Sequence, residues 1–369
     1  MRVLIAIDKF KGSLTSIEAG TIIKDAIASQ SSKYKTTLLP IADGGDGFAD
    51  VCKHYLKTKT VKVKSTDPLF NKMVGYYEWN YQTKTAIIEL AVCSGIALLP
   101  KHKKNPLLTS TYGTGILIKH AISKGAKKII LGIGGSATND AGMGIANALG
   151  FTFFDKNGNE LMPIGASLNH VHSIDAPEKM PKVSFDIATD VQNVLYGTNG
   201  AAYIYGPQKG ANAHEVIQLD KGLRNIASII KQTTKVNLSK VRGMGAAGGV
   251  TAMLFPFFKT RIISGINLVM EISNFNKHIS NTDLLITGEG KIDDQSFQGK
   301  VVGAFLKHAN MNKVDVLLVA GVFGATKKIK ARNLQVIELA EKEKSIDYAI
   351  KNAKKLLFKK VKTHFTAKQ

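Results

Sequence analysis

Only two cysteines, Cys52 and Cys93, occur among the 369 residues. They are too few for a disulfide framework and lack the spacing of a metal site, so both read as buried or incidental thiols. Long apolar runs are missing too: no stretch reaches the roughly 18 residues needed to cross a bilayer. The opening MRVLIAIDKFKGS reads as a strand, because Lys9 and Lys11 follow where a signal sequence would stay apolar. A cytoplasmic protein without membrane association is therefore expected. A Walker A sequence is also absent. The one Gly-Lys followed by a small residue, Gly299-Lys300-Val301, has no hydroxyl at its third position. HRD, DFG, GxSxG and HExxH do not occur, which disfavours the familiar nucleotide and hydrolase classes.

Acidic residues are sparse, 28 against 50 Lys+Arg, for a net charge of +22. Such a balance permits nucleic-acid binding or simply attracts small anions. The densest basic run is the last nineteen residues, with Lys351, Lys354, Lys355, Lys359, Lys360, Lys362 and Lys368 and no acidic residue. Only Phe358 and Phe365 are available there as stacking platforms, whereas Leu356, Leu357 and Val361 mark a terminal helix with one buried face. A solvated lysine face is expected rather than a nucleic-acid groove. On this reading the residues after Lys362 are dispensable. A hydrophobic content of 44% and 369 residues suffice for a large core divided over two domains.

The first sixty or so residues alternate between strands (Val3–Ile7, Thr37–Pro40, Thr60–Val63) and helices (Ser16–Ala28, Asp46–Leu56). The last ninety or so do the same, with strands Leu284–Thr287, Val316–Ala320 and Gln335–Leu339 and helices Lys300–Ala309 and Ile346–Lys360. Alternation of this kind means βαβ units and a parallel sheet covered on both faces. The middle is richer in glycine turns, with isolated helices at Ile116–Ser123 and Leu219–Lys231. The expected fold class is thus α/β: a discontinuous doubly wound domain, residues 1–66 and 282–369, with a second α/β domain, 67–281, inserted. Turn chemistry at Asp67-Pro68 and the polar SNFNKHISNTD run near Asn281 mark the boundaries. Ligands of such folds sit at strand C-termini and in the cleft between domains.

Several segments place glycines, carboxylates or lysines where a strand should end. In LGIGGSATNDAGMGIANALG, Gly134, Gly135 and Ser136 with Asn139 precede a small-residue helix, a turn suited to phosphate or carboxylate, or merely to packing that helix. Asp8, Lys9, Lys11 and Ser13 follow the first strand, and Asp43 and Asp46 flank Gly44-Gly45 after the second. Asp190 ends the strand Val183–Ile187, and Gly288, Glu289, Gly290, Asp293 and Lys300 cluster after Leu284–Thr287. Any one has a dull explanation as an N-cap or turn. Together they carry what phosphoryl transfer needs: carboxylates for Mg²⁺, lysines and backbone N–H groups for phosphates, and a carboxylate base. A non-catalytic phosphate or nucleic-acid binder gains nothing from clustered carboxylates; a phosphatase of a related acid is a third reading. Two further patterns read as structural. Gly243, Gly245 and Gly248 form a GxGxxG with no convincing strand before it, hence a packing cluster, and His170 and His172 alternate as a solvent-facing pair on a strand.

The same residues resemble the type I glycerate kinase family over essentially the whole chain. The matching segments are DKFKGSLTSIEA (8–19), LLPIADGGDG (38–47), NPLLTSTYGTG (105–115), GGSATNDAG (134–142), YGPQKGA (205–211), GAAGG (245–249) and TGEGKIDDQSFQGK (287–300). The resemblance implies a flavodoxin-like domain interrupted by a second α/β domain, and transfer of the ATP γ-phosphoryl group to glycerate giving 2-phosphoglycerate. ATP and Mg²⁺ are the cofactors so implied, the partners are small-molecule substrates, with no nucleic acid, and the chain is expected as monomer or homodimer. In IATDVQNVLYG, Thr189, Gln192, Val194 and Tyr196 depart from the family pattern while Asp190 and Asn193 keep it. The resulting assignment gives catalysis to Asp190, Lys11 and Asp293, and phosphate or nucleotide binding to Gly134, Gly135, Ser136, Asn139, Gly288, Gly290 and Lys300. Lys9, Ser13 and Asn193 are assigned to the acceptor and Asp43, Asp46 and Glu289 to the metal. Asp190, as base, is expected across the cleft from the phosphate-binding loops.

Overall fold

The computed structural model describes residues 1–42, 47–294, 296–297, 301–326, 329–341 and 343–366. Thirteen strands occur among them: β1 (Arg2–Ile7), β2 (Lys35–Leu38), β3 (Lys59–Thr66), β4 (Lys72–Asn80), β5 (Thr85–Glu89), β6 (Lys128–Gly132), β7 (Thr152–Phe154), β8 (Ser173–Asp175), β9 (Ser184–Ala188), β10 (Lys259–Ile263), β11 (Leu284–Ile292), β12 (Asp315–Phe323) and β13 (Gln335–Glu338). The chain divides into two compact units, one of Met1–Asp43, Asp50–Tyr55 and Gly265–Gln369, the other of Gly44–Ala49 and Leu56–Ser264.

In the first unit β13, β12, β11, β1 and β2 lie side by side in that order, all parallel. Counted along the unit, this is the 2-1-3-4-5 order of flavodoxin-like sheets, with its switch point between β1 and β11. Strand alternation covers both faces. Val3, Ile5 and Ile7 join Ile23 and Ile27 of the Ser16–Ala28 helix and Leu357, Val361 and Phe365 of the Ala353–Thr366 helix in one core. Leu4 and Ala6, equally buried, point to the opposite face. The Ser16–Ala28 helix starts where expected, because Thr15 and Glu18 close a capping box.

The second unit is built on the order β10-β9-β6-β5-β4-β3, in which β10, β9, β6 and β5 are parallel and β4 and β3 antiparallel. A small ribbon of β7 and β8 stands apart from that sheet. Its core gathers Ile129, Leu131, Phe185 and Ile187 from the strands with Leu117, Ile118, Leu219, Leu223 and Ile226 from the Tyr112–Ser123 and Ala213–Thr234 helices.

The structure departs from the sequence reading at identifiable places. The strand expected at Thr60–Val63 belongs to the second unit's sheet, and Asp67-Pro68 is the hairpin turn between β3 and β4 instead of a domain boundary. There the Asp67 carboxylate accepts from the N–H groups of Leu69 (2.8 Å) and Asn71 (2.9 Å), a strong local turn that resembles a linker in sequence. At the other boundary, Gly265–Ile272 and Phe275–Ile279 are helices of the first unit. His170 and His172 are not on a strand: His170 closes the 3₁₀ turn Gly165–Asn169 and His172 precedes β8. The GxGxxG residues do pack, as expected, since a Cβ on Gly245 would stand 2.2 Å from the Val194 carbonyl oxygen. Both cysteines are buried.

The C-terminal helix also differs. It breaks at Asn352 and then runs to Thr366. Lys351, Lys354, Lys355, Lys359 and Lys362 are exposed, but Phe365 is fully buried, edge-on to Tyr34 at 5.1 Å, and Thr366 Oγ1 donates to Gln30 Oε1 at 2.6 Å. Phe365, among the residues expected to be dispensable, is therefore part of the first unit's core. Phe365→Ala should cost about 3–5 kcal/mol in urea unfolding, as deletion of a buried aromatic does; unchanged stability would remove the helix end from the core.

In the second unit Asp186 on β9 is clamped by Arg261 on β10 (Nε to Oδ1 3.0 Å, Nη2 to Oδ2 2.9 Å) and by Lys128 on β6 (2.5 Å). Burial raises the Asp186 pKa, but hydrogen bonds and charge from Arg261 and Lys128 outweigh it and leave it below 3.8. A carboxylate lowered in the folded state stabilises fully above about pH 5 and loses that contribution as pH falls through its folded pKa. Asp186→Asn should thus lower Tm at pH 7, and the gap to wild type should narrow toward pH 3 in thermal melts.

Candidate functional site

Parallel strands deliver their C-termini to one edge of a sheet, and the assigned residues sort into two sets, one per unit. In the first unit β1 ends at Ile7 opposite Gly288, while β11 continues to Ile292. Gly288, Glu289 and Gly290 therefore lie within a strand, with Glu289 in register with Ala320, and not in a loop after Thr287. The longer strand is possible because β12 extends alongside it. One of its positions demands glycine. Gly288 has φ +156°, and a Cβ there would stand 1.8 Å from the Val319 carbonyl oxygen. A Cβ on Gly290 would stand 3.1 Å from the backbone nitrogen of Lys11, so the turn after β1 lies directly against this strand.

That turn is self-organised. Asp8 N–H donates to the Gly288 carbonyl at 2.9 Å, the Asp8 carboxylate accepts from Lys9 N–H at 2.8 Å, and Phe10 N–H donates to the Leu14 carbonyl at 2.8 Å. Ser13 spends its hydroxyl locally on the Phe10 carbonyl at 3.2 Å. Lys9 is half-buried and Lys11 exposed. Glu289 keeps a carboxylate oxygen withdrawn from solvent, and Asp293 lies 3.8 Å from the Lys291 ammonium. The switch point thus brings the turn of Lys9, Lys11 and Ser13 against Gly288, Glu289 and Gly290, while Asp293 stands past the end of β11. Asp43, Asp46 and Lys300 lie outside the described residues.

In the second unit the set forms at the ends of β6 and β9. Gly132 pairs with Ala188, the last residue of each strand, and two residues past these ends stand Gly134 and Asp190. Asp190 is therefore beside the Gly134–Asn139 loop on the same sheet, and not across a cleft from it. The reason is topological: β6 and β9 are neighbours although about fifty residues of chain separate them. Thr189 N–H donates to the Ile263 carbonyl at 2.9 Å, and Val191 N–H is taken by Thr189 Oγ1 at 3.2 Å. Thr189 thus caps this turn, and the Asp190 carboxylate beside it is drawn out of solvent.

The Gly134 loop is held from several sides. Gly135 takes φ +69° and is exposed, its carbonyl accepting from Ile96 N–H at 2.8 Å; Ala137 N–H donates to the Ser94 carbonyl at 2.9 Å. The helix expected to follow directly begins only at Met143. In between, Asp140 is fully buried and accepts four bonds, from Thr111 N–H and Oγ1 (both 2.7 Å), Gly142 N–H (3.1 Å) and Gly144 N–H (3.2 Å). Burial pushes its pKa up on balance, although those donors pull against it. Four donors and no acceptor is the surrounding of an ionised carboxylate. Asn139 is also fully buried, and neither polar atom of its amide has a hydrogen-bond partner among the described residues. A buried amide left open in this way costs stability that a ligand or water recovers.

Asn193 is committed inside the fold: its amide donates to the Asn199 carbonyl at 2.9 Å and accepts from Tyr205 Oη at 2.7 Å. The sequence reading missed Lys209 and Asp140. Lys209 is 3% exposed and donates from Nζ to Ser136 Oγ and the Thr138 carbonyl, each at 2.7 Å. The available signal was a lone lysine between glycines in YGPQKGA, next to an apolar helix. Among the described residues no helix is long and apolar enough to cross a membrane, and no three His, Cys, Asp or Glu side chains gather as a metal cage.

Comparison with known proteins matches this architecture. The model of the glycerate kinase family covers residues 3–367. A glycerate kinase of Bacillus cereus is 38% identical over 324 residues, 87% of this chain and 85% of that protein. A glycerate 2-kinase of Escherichia coli is 39% identical over 324 residues, 87% of this chain and 85% of its own. A crystal structure from Salmonella typhimurium, assigned as a glycerate kinase 2, superposes with a TM-score of 0.82 at 31% identity, covering 100% of this chain and 99% of that one. With the flavodoxin-like strand order, the glycine-lined strand ends and a family match over nearly its whole length, the chain belongs to the glycerate kinase family.

Proposed function

We propose that this protein transfers the γ-phosphoryl group of ATP to the 2-hydroxyl of glycerate in the cytoplasm. The observation that carries the reading is the Gly134–Asp140 loop, pinned at a strand end beside Asp190 and presenting an exposed glycine of positive φ. Backbone N–H groups in such a turn suit an oxyanion, and a carboxylate next to it suits a hydroxyl that must lose its proton as it attacks. Asp190 accepts that proton and orients the hydroxyl. The cationic turn of Lys9 and Lys11 offers charge for phosphates or for the acceptor's carboxylate. Phosphoryl transfer asks the protein for positioning and charge stabilisation more than for covalent chemistry, and each set carries groups of that kind.

Mg²⁺ in such reactions is held by one or two carboxylates together with substrate phosphates. Glu289, an oxygen donor withdrawn from solvent on β11, fits that part, and the ion when bound would neutralise charge on the ATP phosphates. Purified protein with Mg²⁺-ATP should turn over ATP only when D-glycerate is present, and phosphorus NMR should show 2-phosphoglycerate. No stimulation by glycerate would refute the assignment, and 3-phosphoglycerate as sole product would move the acceptor hydroxyl.

Two substitutions test the site. Gly135→Val places a branched side chain at φ +69° in an anion-facing turn and should abolish turnover while circular dichroism stays native. Asp190→Asn should lower kcat by about 10²–10⁴-fold with ATP affinity nearly unchanged, the scale of a lost general base. A mutant that loses stability but keeps kcat would return Asp190 to a structural role.

A further inference from the structure

Lysine is rarely buried, because its ammonium must be desolvated and its long chain immobilised. Lys209 pays that cost at the end of a 3₁₀ turn, Pro207–Lys209, closed by Gly210 at φ +100°. The position of the turn is fixed: a Cβ on Gly210 would stand 2.1 Å from the Lys104 carbonyl oxygen. Burial pushes the Lys209 ammonium down to about 7, and the Asp140 carboxylate works against that loss of charge. Its Nζ reaches the two residues that bracket Ala137 in the candidate anion loop, the Ser136 hydroxyl and the Thr138 carbonyl.

A serine hydroxyl has one proton and two lone pairs. One lone pair of Ser136 Oγ is occupied by the lysine, and among the described residues no acceptor takes the proton. The same residue follows Gly135, the exposed, left-handed position of the loop, and is itself 8% exposed. We propose that Lys209 is a positioning residue: by bonding Ser136 Oγ and the Thr138 carbonyl from the buried side, it leaves the Ser136 O–H as a polarised donor to an oxyanion of the substrates. This extends the role proposed above for the Gly134–Asp140 loop and rests on it. The oxyanion is either a phosphoryl group of ATP or the carboxylate of glycerate.

Steady-state kinetics on Lys209→Met, Ser136→Ala and the double variant separate these sources. Each single substitution should raise one KM about 10- to 100-fold, the scale of a lost charge-assisted hydrogen bond, with a much smaller change in kcat. A rise in KM for ATP assigns the donor to phosphate, and a rise in KM for glycerate assigns it to the carboxylate. The double variant should be no worse than either single one, because both remove the same donor. If Lys209→Met does not fold, Ser136→Ala decides alone. Both KM values within twofold of wild type in Ser136→Ala, or additive losses in the double variant, would overturn the inference. Wild-type turnover tests the kinase reading separately. Calorimetric titration with inorganic phosphate makes the same comparison without turnover: weaker binding in Ser136→Ala supports the donor, and equal binding removes it.

Discussion

A single buried carboxylate organises the second unit's site. Asp140 collects four donors from two segments, Thr111 at the start of one helix and Gly142 and Gly144 at the start of the next. An ionised group without water must have its lone pairs filled, so the two segments cannot separate without exposing it to an apolar interior. The loop from Gly134 to Asn139 inherits its position from this knot. Its carbonyls are then claimed by Ile96, Thr109 and Lys209, which leaves the backbone little freedom.

Glycine requirements follow from the same crowding. Gly248 sits where a Cβ would meet the Thr138 carbonyl oxygen at 2.1 Å, which places the 245–249 segment against the base of the anion loop. In the first unit Gly288 performs the matching service, letting β11 run on past the end of β1 beside β12. Both units thus bring backbone into contact at a strand end where side chains would otherwise intervene, and the polar groups stand at the edges of those contacts. A net charge of +22 suits anionic substrates without requiring a nucleic-acid partner.

Much of this was legible in the residues. Alternation of apolar strands and helices identified the parallel architecture of the first unit, and the helix expected near Ser16–Ala28 is found there, its start closed by the Thr15–Glu18 capping box that the structure shows. Local signals misled where two structures share one chemistry. Asp67-Pro68 reads equally as linker or tight hairpin, and only pairing of β3 with β4 distinguishes them. The lysine-rich end reads as solvated because charge dominates its composition, yet Phe365 was the residue that mattered.

What the sequence determined by itself is the set of chemical groups: glycines at strand ends, carboxylates and lysines beside them, and the periodicity that makes the first unit's sheet parallel. Those are properties of residue type and spacing, which the chain carries before it folds. Which groups meet was decided only by tertiary structure. Strand order is a long-range choice, so nothing near Asp190 reveals that β9 lies next to β6, nor does anything near Lys209 reveal that its ammonium ends 73 residues back on Ser136. Burial likewise belongs to the packed state, and it is burial that turns Asp140 and Lys209 from ordinary charged residues into the supports of a site.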